Sequence, residues 1–226
     1  MFTGIVKGIG RIESVDRSAE GVRVTVATPL AGELGLGDSI AVNGVCLTAA
    51  AVNGGTFVAE VMNETLAKTS LTEVAPAGEV NLELPLRASD RLGGHVVQGH
   101  VDGVGVIAQV VEDGFARRVT IDAPADVLRY VVEKGSVAVD GVSLTVAAVD
   151  GESLEVSLIP ETLARTSLGR ARRGTRVNLE VDVIAKYVEK AVRGAEFGLD
   201  RDRHTYGQGP AATPAGEKTT TREGPK

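Results

Sequence analysis

The 226-residue chain is poor in cysteine and contains no long apolar run. Its single cysteine, Cys46, cannot form an intrachain disulfide, so it is either a small core residue or a reactive thiol in a reducing compartment. No apolar run approaches the roughly 18 residues of a membrane helix. The start MFTGIVKGIGRIESV also lacks the uninterrupted apolar region of a signal peptide. We therefore expect a soluble cytoplasmic protein.

Clustered positive charge is also scarce. The formal net charge is −6, and only the adjacent Arg172 and Arg173, in a turn-like stretch, offer the grouped cations that phosphate binding needs. A solvated loop accounts for that pair, so no nucleic-acid partner is expected. The apolar content of 43% is enough for packed cores, and the length favours two domains of about 100 residues each.

The chain contains an internal repeat. At an offset of 97 positions, SIAVNGVCLTAAAVNG (39–54) matches SVAVDGVSLTVAAVDG (136–151), and 22 of the 45 positions in 39–83 are identical. The N-terminal parts of the two copies match at an offset of 95, as GIVKGIG (4–10) and GHVDGVG (99–105). Because the offset is 97 further along the chain, the second copy has gained two residues before Ser136. Two copies are too few for a solenoid, and we predict sister domains at 1–90 and 91–183.

Each copy is predicted to form a small antiparallel barrel or sandwich. Short runs rich in Val, Ile, Leu and Thr, such as VRVTVATP and TFVAEVM, alternate with Gly, Asn and Asp turns. NETLAKTSL has helical spacing instead, with Asn63 as the expected N-cap. We predict one short helix in each barrel.

The end of the chain has no counterpart in the first half. VIAKYVEKAVRG has apolar residues at i, i+3, i+4, i+7 and i+8, which predicts an amphipathic helix over 184–198. The helix serves either for association between copies or as a cap on its own barrel. Residues 199–226, rich in Gly, Pro, Thr and charge, are predicted to be a disordered tail.

Alternation places a pair of polar side chains outside each barrel. In the second copy Ser143 and Thr145 share one strand face, and the aliphatic residues between them share the other. The same parity turns Cys46 and Thr48 outward in the first copy. These polar faces are either plain solvent surface or a site that a partner covers.

The stretch LGGHVVQGHVDG suggests a metal site or a phosphate loop, but its sequence supports neither. Zinc would need more ligands than His95 and His100, and only Cys46 and His204 remain. The glycines of this stretch recur in the first copy without opening a helix, so they are strand and bend glycines. His100 matches Ile5 of the first copy, and its imidazole is either solvent-facing or functional.

MFTGIV, SIAVNGVCLT, GGHVVQGHVDG, DGVSLTV and IPETLARTSLG, in this order, closely resemble the riboflavin synthase family over residues 1 to about 195. The resemblance implies an all-β fold of two tandem six-stranded antiparallel Greek-key barrels plus a C-terminal helix that forms a homotrimer. It implies the dismutation of two 6,7-dimethyl-8-ribityllumazine molecules into riboflavin and a pyrimidinedione, without metal or external cofactor. The reacting pair would lie between barrels of neighbouring subunits, and the resemblance leaves open whether a lumazine synthase shell is a further partner.

Site residues follow from this resemblance by matching position. The implied catalytic residues are Phe2, Cys46, His100 and Ser143, supported by Ser39, Thr145, Lys134 and Asp182, with Phe2 packed at the subunit seam. The implied lumazine contacts are Gly4, Ile5, Val6, Cys46, Leu47, Thr48, Glu60, Val61, Met62, Asn63, Glu64, Thr65, Gly99, His100, Val101, Lys134, Ser143, Leu144, Thr145, Ile159, Pro160, Glu161, Thr162, Leu163 and Ala164.

The sequence departs from the family pattern at one position. Val45 stands where some family members carry a second cysteine, and alternation turns it into the core. Non-catalytic lumazine proteins share the barrels but lack parts of the Phe2, Cys46, His100 and Ser143 set, all of which is present here. A barrel pair that serves only as an interaction module would explain the duplication but not the polar faces.

Overall fold

The computed structural model describes residues 1–202 and 224, with side chains through residue 193. Residues 1–187 form one compact unit that includes both repeats, and a second unit begins at Val188. Of the predicted disordered tail, residues 203–223 and 225–226 lie outside the described residues, whereas 199–202 are helical.

The two repeats form two closed barrels of the same topology. The first barrel closes in the order β1-β2-β5-β4-β3-β6, and the second repeats this order with β7 to β12. All neighbouring strands are antiparallel, which confirms the predicted fold class. The strands are Gly8–Arg17 (β1), Gly21–Ala27 (β2), Ser39–Val42 (β3), Val45–Asn53 (β4), Thr56–Met62 (β5), Glu79–Glu83 (β6), Gly103–Asp113 (β7), Ala116–Asp122 (β8), Ser136–Val139 (β9), Val142–Val149 (β10), Ser153–Leu158 (β11) and Arg176–Val181 (β12).

Short helical segments connect the strands. The α-helices are Asn63–Lys68 (α1), Ala125–Leu128 (α2), Pro160–Arg165 (α3) and Val183–Asp202 (α4), and 3-10 turns lie at Pro29–Glu33, Ser70–Glu73 and Ser167–Arg170. Among the described helices, none is long and apolar enough to cross a membrane. The predicted capping role of Asn63 is wrong: the N-cap is Met62, and the Asn63 amide donates instead to the Ala19 carbonyl at 2.9 Å.

Aliphatic side chains from alternate strand positions fill each barrel. Val142, Leu144 and Val146 are buried, whereas Ser143 is half-buried and Thr145 is exposed. The first barrel repeats this parity in β4, where Val45 and Leu47 are buried, Cys46 is half-buried and Thr48 is exposed. The inward and outward faces predicted from the sequence are therefore confirmed.

The barrels contact each other through a reciprocal hydrogen-bond network. The Asn81 amide of the first barrel donates to the Asp140 carbonyl of the second at 2.9 Å, and the Asn178 amide donates to the Asn43 carbonyl at 2.9 Å. Each Asn side-chain oxygen accepts the first N–H of the opposite barrel's 3-10 turn, at 2.7 and 2.8 Å. These asparagines are buried, so the network meets the need of buried amides for partners.

The two barrels also approach each other closely beside this network, at Gly44 and Gly141. Both residues have φ of +76°, and a Cβ on either one would lie 2.7 Å from the backbone nitrogen of the other. Glycine is therefore required here for its left-handed backbone and for the absence of a side chain.

Candidate functional site

Two equivalent regions lie where neighbouring strands diverge. The β4–β5 ladder starts at the pair Ala49 and Ala59, so residues 45–48 pair only with β3, while the end of β5 pairs only with β2. In the second barrel the β10–β11 ladder likewise starts at Val146 and Val156. We call these regions the first cleft (46–48, 60–65 and 99–101) and the second cleft (143–145, 159–164 and 4–6).

Each cleft is completed by a segment that crosses over from the opposite repeat. We call residues 2–6 and 97–101 the two crossing segments. The Cys46 N–H donates to the Gly99 carbonyl at 2.9 Å, and the Ser143 N–H donates to the Gly4 carbonyl at 2.8 Å. Val6 packs against the core of the second barrel, and Val101 packs against the core of the first. The structure thus sorts the sequence-predicted contact residues into two groups, each drawn from both halves of the chain.

Glycine is needed where these segments cross the strands. Gly99 has φ of +79°, and its Cβ would lie 2.6 Å from the Cβ of Cys46. Gly4 has φ of +74°, and its Cβ would lie 2.6 Å from the Cβ of Ser143. Any larger residue would push the crossing segment off the strand that carries the thiol or the hydroxyl.

Two buried carboxylates hold the crossing segments in place. Glu83 accepts from the N–H and hydroxyl of Thr3, both at 2.7 Å, and from the Gly4 N–H at 2.9 Å. Glu180, its counterpart, accepts the N–H groups of Gln98 at 2.6 Å and Gly99 at 2.9 Å. Burial raises the pKa of both carboxyl groups, and these hydrogen bonds oppose the shift.

Phe2 lies between the two barrels of its own chain; its expected place at a seam between subunits stays a prediction. Its side chain is fully buried within one chain, in a cluster with Ala41, Val97 and Ala138 against which Cys46 packs. Its N–H donates to the Val97 carbonyl at 2.7 Å, and its carbonyl accepts from the Val97 N–H at 3.1 Å. Phe2 therefore joins the two crossing segments.

His95 is a site residue that the sequence analysis left out. Its side chain is 8% exposed, and its Nδ1 lies 2.7 Å from the Ser143 Oγ. Burial lowers the pKa of His95, and the negative charge of Asp182 opposes this shift. His95, Val97 and Gly99 are all buried, but the sequence gives no signal for this placement, because Val96 and Val97 are equally apolar and the stretch does not alternate.

Lys134 occupies a strained backbone position beside the second cleft. It has φ of +64°, whereas the first copy has Gly37 at the equivalent position with φ of +88°. Its N–H donates to the Val146 carbonyl, next to Thr145. A left-handed lysine is uncommon and costs about 1 kcal/mol or more.

The other predicted residues lie around the two clefts. His100 is exposed and acts electrostatically on Glu180. Ser39 and Thr145 each sit in a strand pair at a cleft edge, with Thr48 and Ser136 respectively. In addition, exposed apolar side chains mark the starts of α1 and α3, with Met62 68% and Ile159 57% exposed.

The clefts offer hydrogen-bonding and proton-transfer groups. Each combines strand backbone, a thiol or hydroxyl, and an imidazole nearby, which suits recognition of a planar heterocycle and acid–base chemistry. Within the described part of the chain, no three His, Cys, Asp or Glu side chains cluster in a way that could hold a metal ion.

The sequence comparisons agree on one kind of protein. A family model described as the lumazine binding domain matches residues 3–85 and 98–182. A curated riboflavin synthase of Mycobacterium tuberculosis is 50% identical over 200 residues, covering 86% of this chain and all of that protein. Riboflavin synthases of Actinobacillus pleuropneumoniae and Bacillus subtilis are 44% and 38% identical, covering 84% and 86% of this chain and 89% and 91% of theirs.

Solved structures share the fold at lower identity. LumP complexed with 6,7-dimethyl-8-(1'-D-ribityl) lumazine superposes with a TM-score of 0.73 at 23% identity, covering 80% of this chain and 99% of LumP. LumP complexed with riboflavin gives a TM-score of 0.75 with the same identity and coverage. At this identity the likeness extends to the fold alone.

Proposed function

Because the chain belongs to the riboflavin synthase family, we propose that its two clefts each bind one 6,7-dimethyl-8-ribityllumazine molecule. The enzyme is a transferase that moves a four-carbon unit from one lumazine to another, giving riboflavin and 5-amino-6-ribitylamino-uracil in the last step of riboflavin biosynthesis. The observation that carries this conclusion is the match to riboflavin synthase over 200 residues at 50% identity, spanning both repeats. A non-catalytic lumazine protein is disfavoured, because the curated relatives at 38–50% identity are named riboflavin synthases and this chain has Phe2, Cys46, His100 and Ser143.

The duplication suits a reaction between two molecules of the same compound. Two similar clefts hold two similar reactants, and fixing their orientation removes much of the entropic barrier. The clefts differ where donor and acceptor need different groups. Cys46 of the first repeat corresponds in sequence to Ser143 of the second, and Ile5 corresponds to His100. This divergence on a shared scaffold supports unequal roles for the two clefts.

The dismutation of two lumazines requires a nucleophile and an acid–base group from the protein. One lumazine needs a nucleophile at C7, and the other must lose a proton from its acidic 7-methyl group. We assign acid–base work to His100, because its imidazole is exposed and histidine is the side chain that most often transfers protons in enzymes. Ser143 or Cys46 would activate water or add directly to C7.

Incubating the purified protein with 6,7-dimethyl-8-ribityllumazine alone is expected to give one riboflavin for every two lumazines consumed, because the same compound is donor and acceptor. Chromatography with absorbance detection measures both. The matched control is Ser143→Ala, which is expected to lower turnover about 100-fold or more if the hydroxyl takes part in catalysis. Tight lumazine binding without turnover by the unaltered protein would instead indicate a lumazine-binding protein.

We further propose that the chain forms a homotrimer through α4. This helix exposes an apolar stripe of Ile184, Tyr187, Val188 and Val192, each 56–67% exposed. An exposed apolar stripe on a helix marks an interaction site. Trimerisation would pair the first cleft of one subunit with the second cleft of its neighbour. The cytoplasmic location and a lumazine synthase shell as partner stay predictions.

A Val188→Glu variant is expected to yield monomers of 23.4 kDa in place of trimers, because it puts a charge into the apolar stripe. Turnover should fall about tenfold or more, since the two clefts no longer meet. Size-exclusion chromatography with light scattering gives the mass, and Lys190→Glu is the control, placing the same side chain at an exposed position outside the stripe. A trimeric Val188→Glu protein, or a fully active monomer, would contradict this role of α4.

A further inference from the structure

We propose that His95 positions the Ser143 hydroxyl as a hydrogen-bond donor into the second cleft. This inference rests on the proposed function and adds a residue to the second cleft. The pair is direct, with 2.7 Å between His95 Nδ1 and Ser143 Oγ. A hydroxyl hydrogen rotates freely in solution, so a partner at this distance decides whether the oxygen donates or accepts on its open side.

The chain brings the imidazole to Ser143 through a close backbone approach. A Cβ on Gly94 would lie 2.9 Å from the Ser143 Oγ and 2.1 Å from the Thr3 carbonyl oxygen. The His95 N–H also donates to that Thr3 carbonyl at 3.2 Å. Gly94 therefore lets the segment run against the N-terminal crossing segment, and His95 is fixed from its backbone as well as its ring.

The surroundings of the ring favour one tautomer. Its Nε2 is buried and has no hydrogen-bond partner among the described protein atoms. A buried N–H without an acceptor is rarer than a buried acceptor without a donor, so the proton belongs on Nδ1. The Nδ1–H then donates to Ser143 Oγ, and the hydroxyl hydrogen is left to point into the cleft.

The arrangement distinguishes the second cleft from the first. Ser143 is half-buried, so part of its side chain stays accessible while His95 holds the other side. Cys46, at the matching position, has no side-chain hydrogen bond among the described residues. The oriented hydroxyl would meet an acceptor atom of the lumazine, either a carbonyl oxygen or a ring nitrogen, and would stabilise negative charge that develops there.

A set of four variants tests this role through turnover. His95→Phe removes the hydrogen bond but fills the space, and kcat should fall about 10- to 100-fold with KM little changed. His95→Asn keeps a donor near the Nδ1 position and should recover most of kcat. In a Ser143→Ala background, His95→Phe should cause no further loss, because the imidazole acts through the hydroxyl. An unchanged kcat for His95→Phe, or independent losses in the double variant, would overturn the proposal.

Nitrogen-15 NMR of the imidazole supplies a readout that needs no turnover. In the unaltered protein Nδ1 should carry the proton, and its chemical shift should move in Ser143→Ala. An unprotonated Nδ1, or a shift insensitive to Ser143→Ala, would refute the donor assignment. Absence of riboflavin formation by the unaltered protein would refute the proposed function, while these shifts would still decide the His95–Ser143 interaction.

Discussion

A Phe2→Ala variant is expected to lose about 3 to 5 kcal/mol of unfolding free energy, the usual cost of removing a fully buried phenylalanine. The ring fills the space between the two barrels against Val97 and Ala138, so its loss leaves a cavity there. Turnover should fall as well, because the segment that starts at Phe2 carries the Gly4 carbonyl that binds Ser143. Urea unfolding and lumazine turnover measure the two effects.

Phe2→Leu is the matched control. It keeps an apolar side chain and should retain much of the stability and turnover. If the Phe2→Ala variant had the same free energy of unfolding as the unaltered protein, both measured as monomers, the packing between the barrels would not depend on this ring. If it lost activity only when the subunits separate, Phe2 would belong to the subunit seam after all.

An Asp140→Asn variant should abolish a pH dependence of stability that comes from the barrel interface. Burial raises the pKa of Asp140 from 3.8 to about 7, and its hydrogen bond from the Asn178 N–H opposes the shift. Between these values the folded state holds a proton that the unfolded state has released. The unfolding free energy of the unaltered protein should therefore fall as the pH rises from about 4 to about 7, by an amount on the order of 2 to 4 kcal/mol.

The first barrel indicates that an amide fits at this position. Asn43 Oδ1 accepts the Asn81 N–H at 2.7 Å, just as Asp140 Oδ1 accepts the Asn178 N–H at 2.8 Å. Asp140→Asn should thus fold normally and be the more stable protein above pH 7. Urea unfolding at several pH values tests this, with Asp126→Asn, which is exposed, as the control for net charge. Parallel pH profiles for Asp140→Asn and the unaltered protein would contradict a buried titrating carboxyl.

The sequence predicts the barrels well because their signals are local. Strict alternation around Cys46 and Ser143 decides which side chains face the core, and the repeat doubles every observation. The alternation therefore predicts the polar pairs on the outer faces, and the structure confirms their parity. Topology followed from the family resemblance rather than from periodicity, since alternation does not tell which strands are neighbours.

The covering of those polar faces could not be predicted in the same way. It depends on segments that cross from one repeat to the other, and contacts so distant in sequence leave no periodic signal. The sequence therefore does not place Phe2 between the barrels of its own chain or His95 beside Ser143. Asn63 does not cap α1, because its side-chain amide donates to the Ala19 carbonyl, which lies far from it in sequence.

The crossed segments also constrain the order in which the chain acquires its structure during synthesis. The first barrel is complete once β6 has left the ribosome, but Gly99, which covers its Cys46 strand, emerges later. Gly4 leaves the ribosome almost first, yet its partner strand with Ser143 is among the later ones. Docking of the barrels can be completed only after both have been synthesised, and until then the first barrel lacks the Gly99 carbonyl that accepts from its Cys46 N–H.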